Sequence, residues 1–205
     1  MRKTAAEARR TRERIVEVAV QQASGLGLSG LTIGTLAETL DMSKAGVVGP
    51  FGSRAELQLA ALDRAVEMFT EAVVAPGRAT GPGLPCLYAV IDAWCAYLAD
   101  SPFPNGCFVT AASCELDARY GELRTRLHDT VTRWRGFLTE QITTAQAAGD
   151  LDPHLDPDDL VSLLGGLAMA ANQEIQLLGD ERAAPRARRL MRAALASRRP
   201  LALRG

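Results

Sequence analysis

Apolar residues recur at spacings of three and four through most of the chain. The clearest stripe is Leu123, Leu127, Val131, Trp134, Leu138 and Ile142, which predicts a long helix closed by Gly149 as its C-cap. Residues 6–24 predict another, with Ile15, Val18, Ala19 and Gln22 on its buried side and Gly25 and Gly27 ending it. From Arg54 a broad apolar surface (Leu57, Leu59, Ala60, Ala61, Leu62, Ala65, Val66, Phe69, Val73) predicts a helix reaching Glu71 or beyond. Residues 75–85, APGRATGPGLP, hold too many glycines and prolines for helix and read as a loop. Helices follow over 86–99 and over 107–116, the latter apolar on nearly every side and therefore expected to be buried. The last two span about 156–179, opened by Asp156-Pro157 and closed by Gly179, and about 184–197. No stretch alternates like a strand. The fold class is all-α: a three-helix head, residues 1–52, and a larger helical bundle body of about six helices, residues 53–205.

Residues 31–59, LTIGTLAETLDMSKAGVVGPFGSRAELQL, organise the head. Thr32 caps a short helix whose inner face is Ile33, Leu36, Ala37 and Leu40; Asp41 and Met42 break it. Ser43 caps a second, which stops before Pro50 and Gly52. Two short helices so separated form a helix-turn-helix, whose second helix can enter a DNA major groove. Helices of two turns are unstable alone, so the first helix must cover them. Ser53-Arg54-Ala55-Glu56 is a capping box opening the long fourth helix.

Composition adds little until its distribution is considered. The net charge is −1, yet through Arg14 six bases (Arg2, Lys3, Arg9, Arg10, Arg12, Arg14) face two acids, Glu7 and Glu13. A basic arm before a helix-turn-helix suits phosphate contact, although a charge run alone also describes a solvated terminus. No run of about 18 apolar residues is present and the N-terminus lacks a signal-peptide core, so the expectation is a cytoplasmic protein without membrane attachment. Cys86, Cys95, Cys107 and Cys114 lack zinc-site spacing and read as buried free thiols. The two histidines, His128 and His154, have no nucleophile at a recognisable distance and read as surface residues; neither an enzyme nor a cofactor is expected.

At LTIGTLAETLDMSKAGV and FGSRAELQLAAL the chain resembles the tetracycline-repressor (TetR) family of bacterial transcriptional regulators, and the helical remainder resembles it more loosely. The resemblance implies that Thr32, Ser43 and Lys44 contact an operator in double-stranded DNA. Val48 stands where the family usually has an aromatic residue and Pro50 where it often has histidine, so neither is carried over as a phosphate contact. Within 43–48, Lys44 reaches a phosphate or a guanine edge, Ser43 a phosphate, and Ala45 or Val47 a thymine methyl, while Gly46 permits close backbone approach; Arg9 and Arg10 of the arm add phosphate contacts.

The resemblance also implies a homodimer in which helices 156–179 and 184–197 pair with those of a second subunit, Gly165-Gly166 allowing close approach. It further implies a body cavity for a small-molecule effector, bordered by Trp94, Tyr97, Phe103, Phe108, Trp134 and Phe137, with Asn172, Gln173 and Gln176 to orient a small, largely apolar ligand. The expected function is a repressor released by that ligand. The alternative is a helical dimeric interaction protein that kept the fold and lost operator binding.

Overall fold

The computed structural model describes residues 4–118 and 120–196, and among these all regular structure is helical. The helices are α1 (Ala5–Leu26), α2 (Ile33–Leu40), α3 (Lys44–Val48), α4 (Arg54–Phe69), a π-helical turn (Thr70–Val74) running into α5 (Ala75–Arg78), α6 (Leu84–Ala99), α7 (Phe108–Leu116), α8 (Glu122–Ala147), α9 (Pro157–Leu178) and α10 (Ala183–Ala196). Arg2 and Lys3 of the basic arm, and Ser197 at the expected end of the last helix, lie outside the described residues. The chain forms two compact units, Met1–Met68 with Phe103–Asp129 and Phe69–Pro102 with Thr130–Gly205. The three-helix head is part of the first.

In the first unit, α1 opens with a capping box: the Glu7 N–H donates to Thr4 Oγ1 at 3.2 Å and the Thr4 N–H to Glu7 Oε2 at 2.8 Å. Its buried apolar residues are Ile15, Val16, Ala19, Val20 and Ala23, a stripe rotated from the expected one. Val18 and Gln22 are only half-buried, because Gln22 sits at the edge and spends its amide on α2 hydroxyls. Helix α2 ends at Asp41, which takes the left-handed conformation at φ 51° and donates its N–H to helix carbonyls. Helix α4 buries Leu57, Leu59, Ala61, Leu62 and Ala65, and Arg126 Nη1 donates to both oxygens of Asp63 at 2.7 Å, tying α8 to α4.

Helix α7 corrects the expectation of burial on nearly every side. Phe108, Ala112 and Leu116, four residues apart, form its buried stripe, whereas Ala111 and Cys114 are exposed.

In the second unit, residues 75–78 are helix rather than loop. The Ala75 N–H reaches five residues back to Thr70 O, and this wider turn lets the helix pass Pro76, which has no N–H and crowds a regular α-turn. Gly77 is buried where α5 crosses α6: a Cβ there would collide with Val90 Cγ2 and press on Cys86 Sγ. The chain then turns through Gly81 and Gly83, both at positive φ, and the Gly83 N–H donates to the buried Gln141 Oε1 at 3.0 Å. Helix α9 starts as expected, with Asp156 accepting from the N–H groups of Asp158 and Asp159, and ends at Gly179 with φ 66°. It packs on α6 and α10 through Leu160, Val161, Leu164, Ala168 and Ala171. Leu178 continues that stripe by spacing, seven residues after Ala171, yet it is 70% exposed, because it lies on the last turn, beyond the last buried residue of the helix.

Gly77→Ala tests the α5–α6 crossing. It is expected to destabilise the protein by about 1–3 kcal/mol, the range for overpacking a close contact. Urea unfolding should report a lower midpoint with an unchanged slope.

Candidate nucleic-acid interface

The helix-turn-helix is assembled from caps outward. Thr32 Oγ1 accepts from the Thr35 N–H at 3.2 Å, and Ser43 Oγ accepts from the Gly46 N–H at 3.0 Å, each satisfying a free amide of its helix. Leu36, Ala37 and Leu40 of α2 and Val47 of α3 fill the inside. Thr32, Ser43, Lys44 and Ala45 are exposed and Gly46 is half-buried. Val47 corrects the expectation of a thymine contact: its side chain has no exposed surface, since it is the one residue by which this five-residue helix joins the core. Met42 Cε and Ser43 Oγ lie 3.4 and 3.2 Å from where a Cβ at Gly46 would stand, which leaves little room there for a larger side chain.

On α1, Arg9 and Arg10 are both exposed, and Arg9 is within 3.5 Å of Glu13 one turn on. Arg12 lies over the Phe51 ring at 4.8 Å and so braces the segment following α3. Val48 is half-buried and Pro50 exposed.

Sequence reasoning missed the residues that hold the entrance to this motif. The Leu28 and Ser29 N–H groups donate to Glu115 Oε2 and Oε1, each at 2.7 Å. The carbonyls of the same turn are taken by α4: Gln58 Nε2 donates to Leu28 O, and Arg54 donates to Leu31 O at 2.9 Å and to Ser29 O. Asn105 Nδ2 donates to Ser24 O at 2.9 Å and Gly25 O at 3.2 Å, capping the end of α1. One signal was available: Glu115 is the only acid in a segment read as buried, and a carboxylate there needs donors.

The aromatic residues divide between the units. In the second, Phe69 meets Trp94, Tyr97 and Trp134 edge to face at 6.3, 5.4 and 5.1 Å; Trp94 and Trp134 are 5.0 Å apart, and Phe137 stacks on Trp134 at 5.9 Å beneath Arg78. Phe103 and Phe108 pair with each other at 5.6 Å in the first unit. Phe69, expected only as part of the α4 surface, is the hub of the cluster. On α9, Asn172 is half-buried, and Gln176 is exposed outside the buried stripe. His128 and His154 are exposed, and His128 Nδ1 lies 3.2 Å from Asp129 Oδ1.

A capped helix-turn-helix braced by α1, followed by further helices, is the architecture of helical proteins with a helix-turn-helix head. The family model described as "Tetracyclin repressor-like, C-terminal domain" matches residues 83–191, more than half of the chain, and the chain belongs to the TetR family of transcriptional regulators. No curated protein matches it. Among solved structures, a TetR transcriptional regulator from Chloroflexus aurantiacus is 23% identical with a TM-score of 0.86, covering 94% of this chain and 97% of its own. A TetR-family regulator from Cytophaga hutchinsonii is 19% identical with a TM-score of 0.81, covering 95% and 97%. AibR, in a complex with isovaleryl coenzyme A and operator DNA, is 19% identical with a TM-score of 0.71, covering 88% and 97%. At these identities the likeness is one of fold.

The cysteines differ in environment. Cys86, Cys95 and Cys107 are buried, whereas Cys114 is exposed on α7, correcting the expectation that all four are buried. Burial pushes the Cys95 thiol from 9.0 up to about 11, against the opposing pull of Arg188, and raises Cys86 as well. A thiol-alkylating reagent at pH 8 should therefore modify Cys114 well before Cys95, as read by peptide mass spectrometry. Above pH 9.0 the unfolded Cys95 ionises while the folded one stays protonated, so stability should fall as pH rises from 9 towards 11. Replacing Cys95 with Ser should reduce that fall in thermal unfolding measured across this range.

Proposed function

We propose that this TetR-family chain is a homodimeric repressor that binds operator DNA through α3 and is released by a small, largely apolar ligand. The observation that carries the reading is the exposed first turn of α3: Ser43, Lys44 and Ala45 face solvent while Val47 beneath them closes the head core. Lys44 is the only charged side chain of α3, so it supplies the phosphate or guanine contact, and much of the selectivity comes from DNA shape and half-site spacing. Exposed Arg9 and Arg10 add phosphate contacts. AibR, which shares the fold, binds operator DNA and an acyl-coenzyme A, and that pairing supports the same two kinds of partner here.

Dimerisation is supported by α9 and α10. Gly166, Met169, Gln173 and Leu177 lie on the exposed side of α9, Leu190 of α10 is 43% exposed, and a Cβ on Gly165 or Gly166 would meet nothing within the protomer. These residues give a second subunit apolar surface and a close approach. Two heads then meet successive major grooves about 34–36 Å apart. For the ligand, the rings of Trp94, Tyr97, Trp134 and Phe137 around Phe69 supply apolar contact, and Asn172 supplies polar orientation. Phe69 ends the helix that carries Arg54 and Gln58, so a ligand against its ring biases the setting of α4, and by no more than its differential affinity for the two settings.

The first test is titration of the protein against DNA from upstream of its own gene, beside an unrelated duplex, at several salt concentrations. Tight binding to the first alone supports the reading; equal weak binding to both favours the interaction protein that Val48 and Pro50 suggest. Lys44→Ala should weaken binding on every duplex and lower the salt slope by about 1 if the contact is to phosphate. Met169→Glu with Leu177→Glu should convert the dimer to monomer in sedimentation equilibrium, and an unchanged mass would move the interface elsewhere.

A further inference from the structure

The connection between α1 and α2 is gripped from one stretch of chain on both sides. Asn105, just before α7, donates to the carbonyls at the end of α1, and Glu115, on the last turn of α7, accepts the amides of Leu28 and Ser29. The two bonds to Glu115 are short and charge-assisted, one to each carboxylate oxygen, and they span 87 and 86 positions of sequence. Gly27, at φ 77°, keeps the space: a Cβ there would stand 2.8 Å from Glu115 Oε2. Since Gln58 and Arg54 occupy the carbonyls of the same turn, its donors and acceptors are held by separate helices.

We propose that Glu115 is a positioning residue for the reading head, setting the direction in which α2, and with it Ser43 and Lys44 of α3, leaves α1. The proposal rests on the reading of this chain as a DNA-binding regulator. The turn is one residue from Thr32, the cap of α2, so any rotation of the Leu28 and Ser29 peptides passes directly into that helix. A carboxylate suits these two contacts, because the Leu28 and Ser29 N–H groups are both donors. Glutamine of the same length would place an NH₂ against one of those N–H groups, a donor facing a donor. Losing a charged partner on a part-buried amide costs an amount equivalent to about a tenfold or larger change in an equilibrium.

The test compares full-length wild type, Glu115→Gln, Glu115→Asp and, as a control on the exposed side of α7, Cys114→Ser. Two quantities are measured well below the unfolding midpoint: amide hydrogen exchange across residues 27–48, and affinity for the duplex that wild type binds. The expected result for Glu115→Gln is faster exchange at Leu28 and Ser29 and through α2 and α3, with DNA affinity lower by about tenfold or more. Glu115→Asp, which keeps the charge on a shorter arm, should fall between, and Cys114→Ser should match wild type. Unchanged exchange in α2 and α3 overturns the proposal, as does unchanged affinity beside a lowered melting midpoint, which would make Glu115 a prop for stability only. If wild type binds no duplex, the DNA-binding reading fails by itself, and exchange through α2 and α3 still decides whether Glu115 orients the head. If Glu115→Gln does not fold, the same exchange measurement on Glu115→Asp decides it.

Discussion

A turn of five residues, Gly27–Leu31, has to satisfy its peptide groups without a helix ladder, and the first unit is built around how it does so. Two backbone bonds are internal to it, from the Gly30 N–H to Gly27 O and from the Leu31 N–H to Leu28 O. The Leu28 and Ser29 N–H groups and the Leu28, Ser29 and Leu31 carbonyls bind side chains brought by α4 and α7. Buried peptide groups left without partners cost about as much as a lost hydrogen bond each, so Leu28 and Leu31 can sit in the core only because those side chains arrive. The apolar anchoring of the head and the polar clamp on its entrance are therefore one arrangement.

The second unit solves a different problem, that of passing a proline and packing two helices closely. A wide turn before Pro76 preserves helical direction, and a glycine directly after it lets α6 approach. The same region begins at Phe69, whose ring touches three others edge to face. Such contacts fix ring orientations as well as burying area, so the cluster has a defined shape.

What was legible from sequence was local. Thr32, Ser43 and Asp156 announce their helices because a cap acts within three residues of itself, and the long stripe of α8 survives because 26 residues average out exceptions. Nine-residue α7 offers no such averaging, and its alanines and cysteine were counted as apolar though small side chains are indifferent to exposure. Residues 75–78 form helix against the expectation, because glycine and proline content says nothing about a widened turn upstream. In the candidate interface, the exposed Ser43, Lys44 and Ala45 follow from their place in the first turn of α3. Val47 turns inward against the expectation, because the sequence of a single turn does not reveal which side faces the core. The grip of Glu115 on Leu28 and Ser29 lies beyond any periodicity, since only the tertiary fold brings them together.

Because the first unit draws on residues as far along as Asp129, its completion has an order in time. As the chain is synthesised, the helix-turn-helix emerges long before Asn105 and Glu115, and the intervening Phe69–Pro102 belongs to the other unit. Until α7 is made, the amides of Leu28 and Ser29 have only water to bind. The nascent head is then a set of short helices around an unclamped turn, and it gains its final form only when more than half of the protein has left the ribosome.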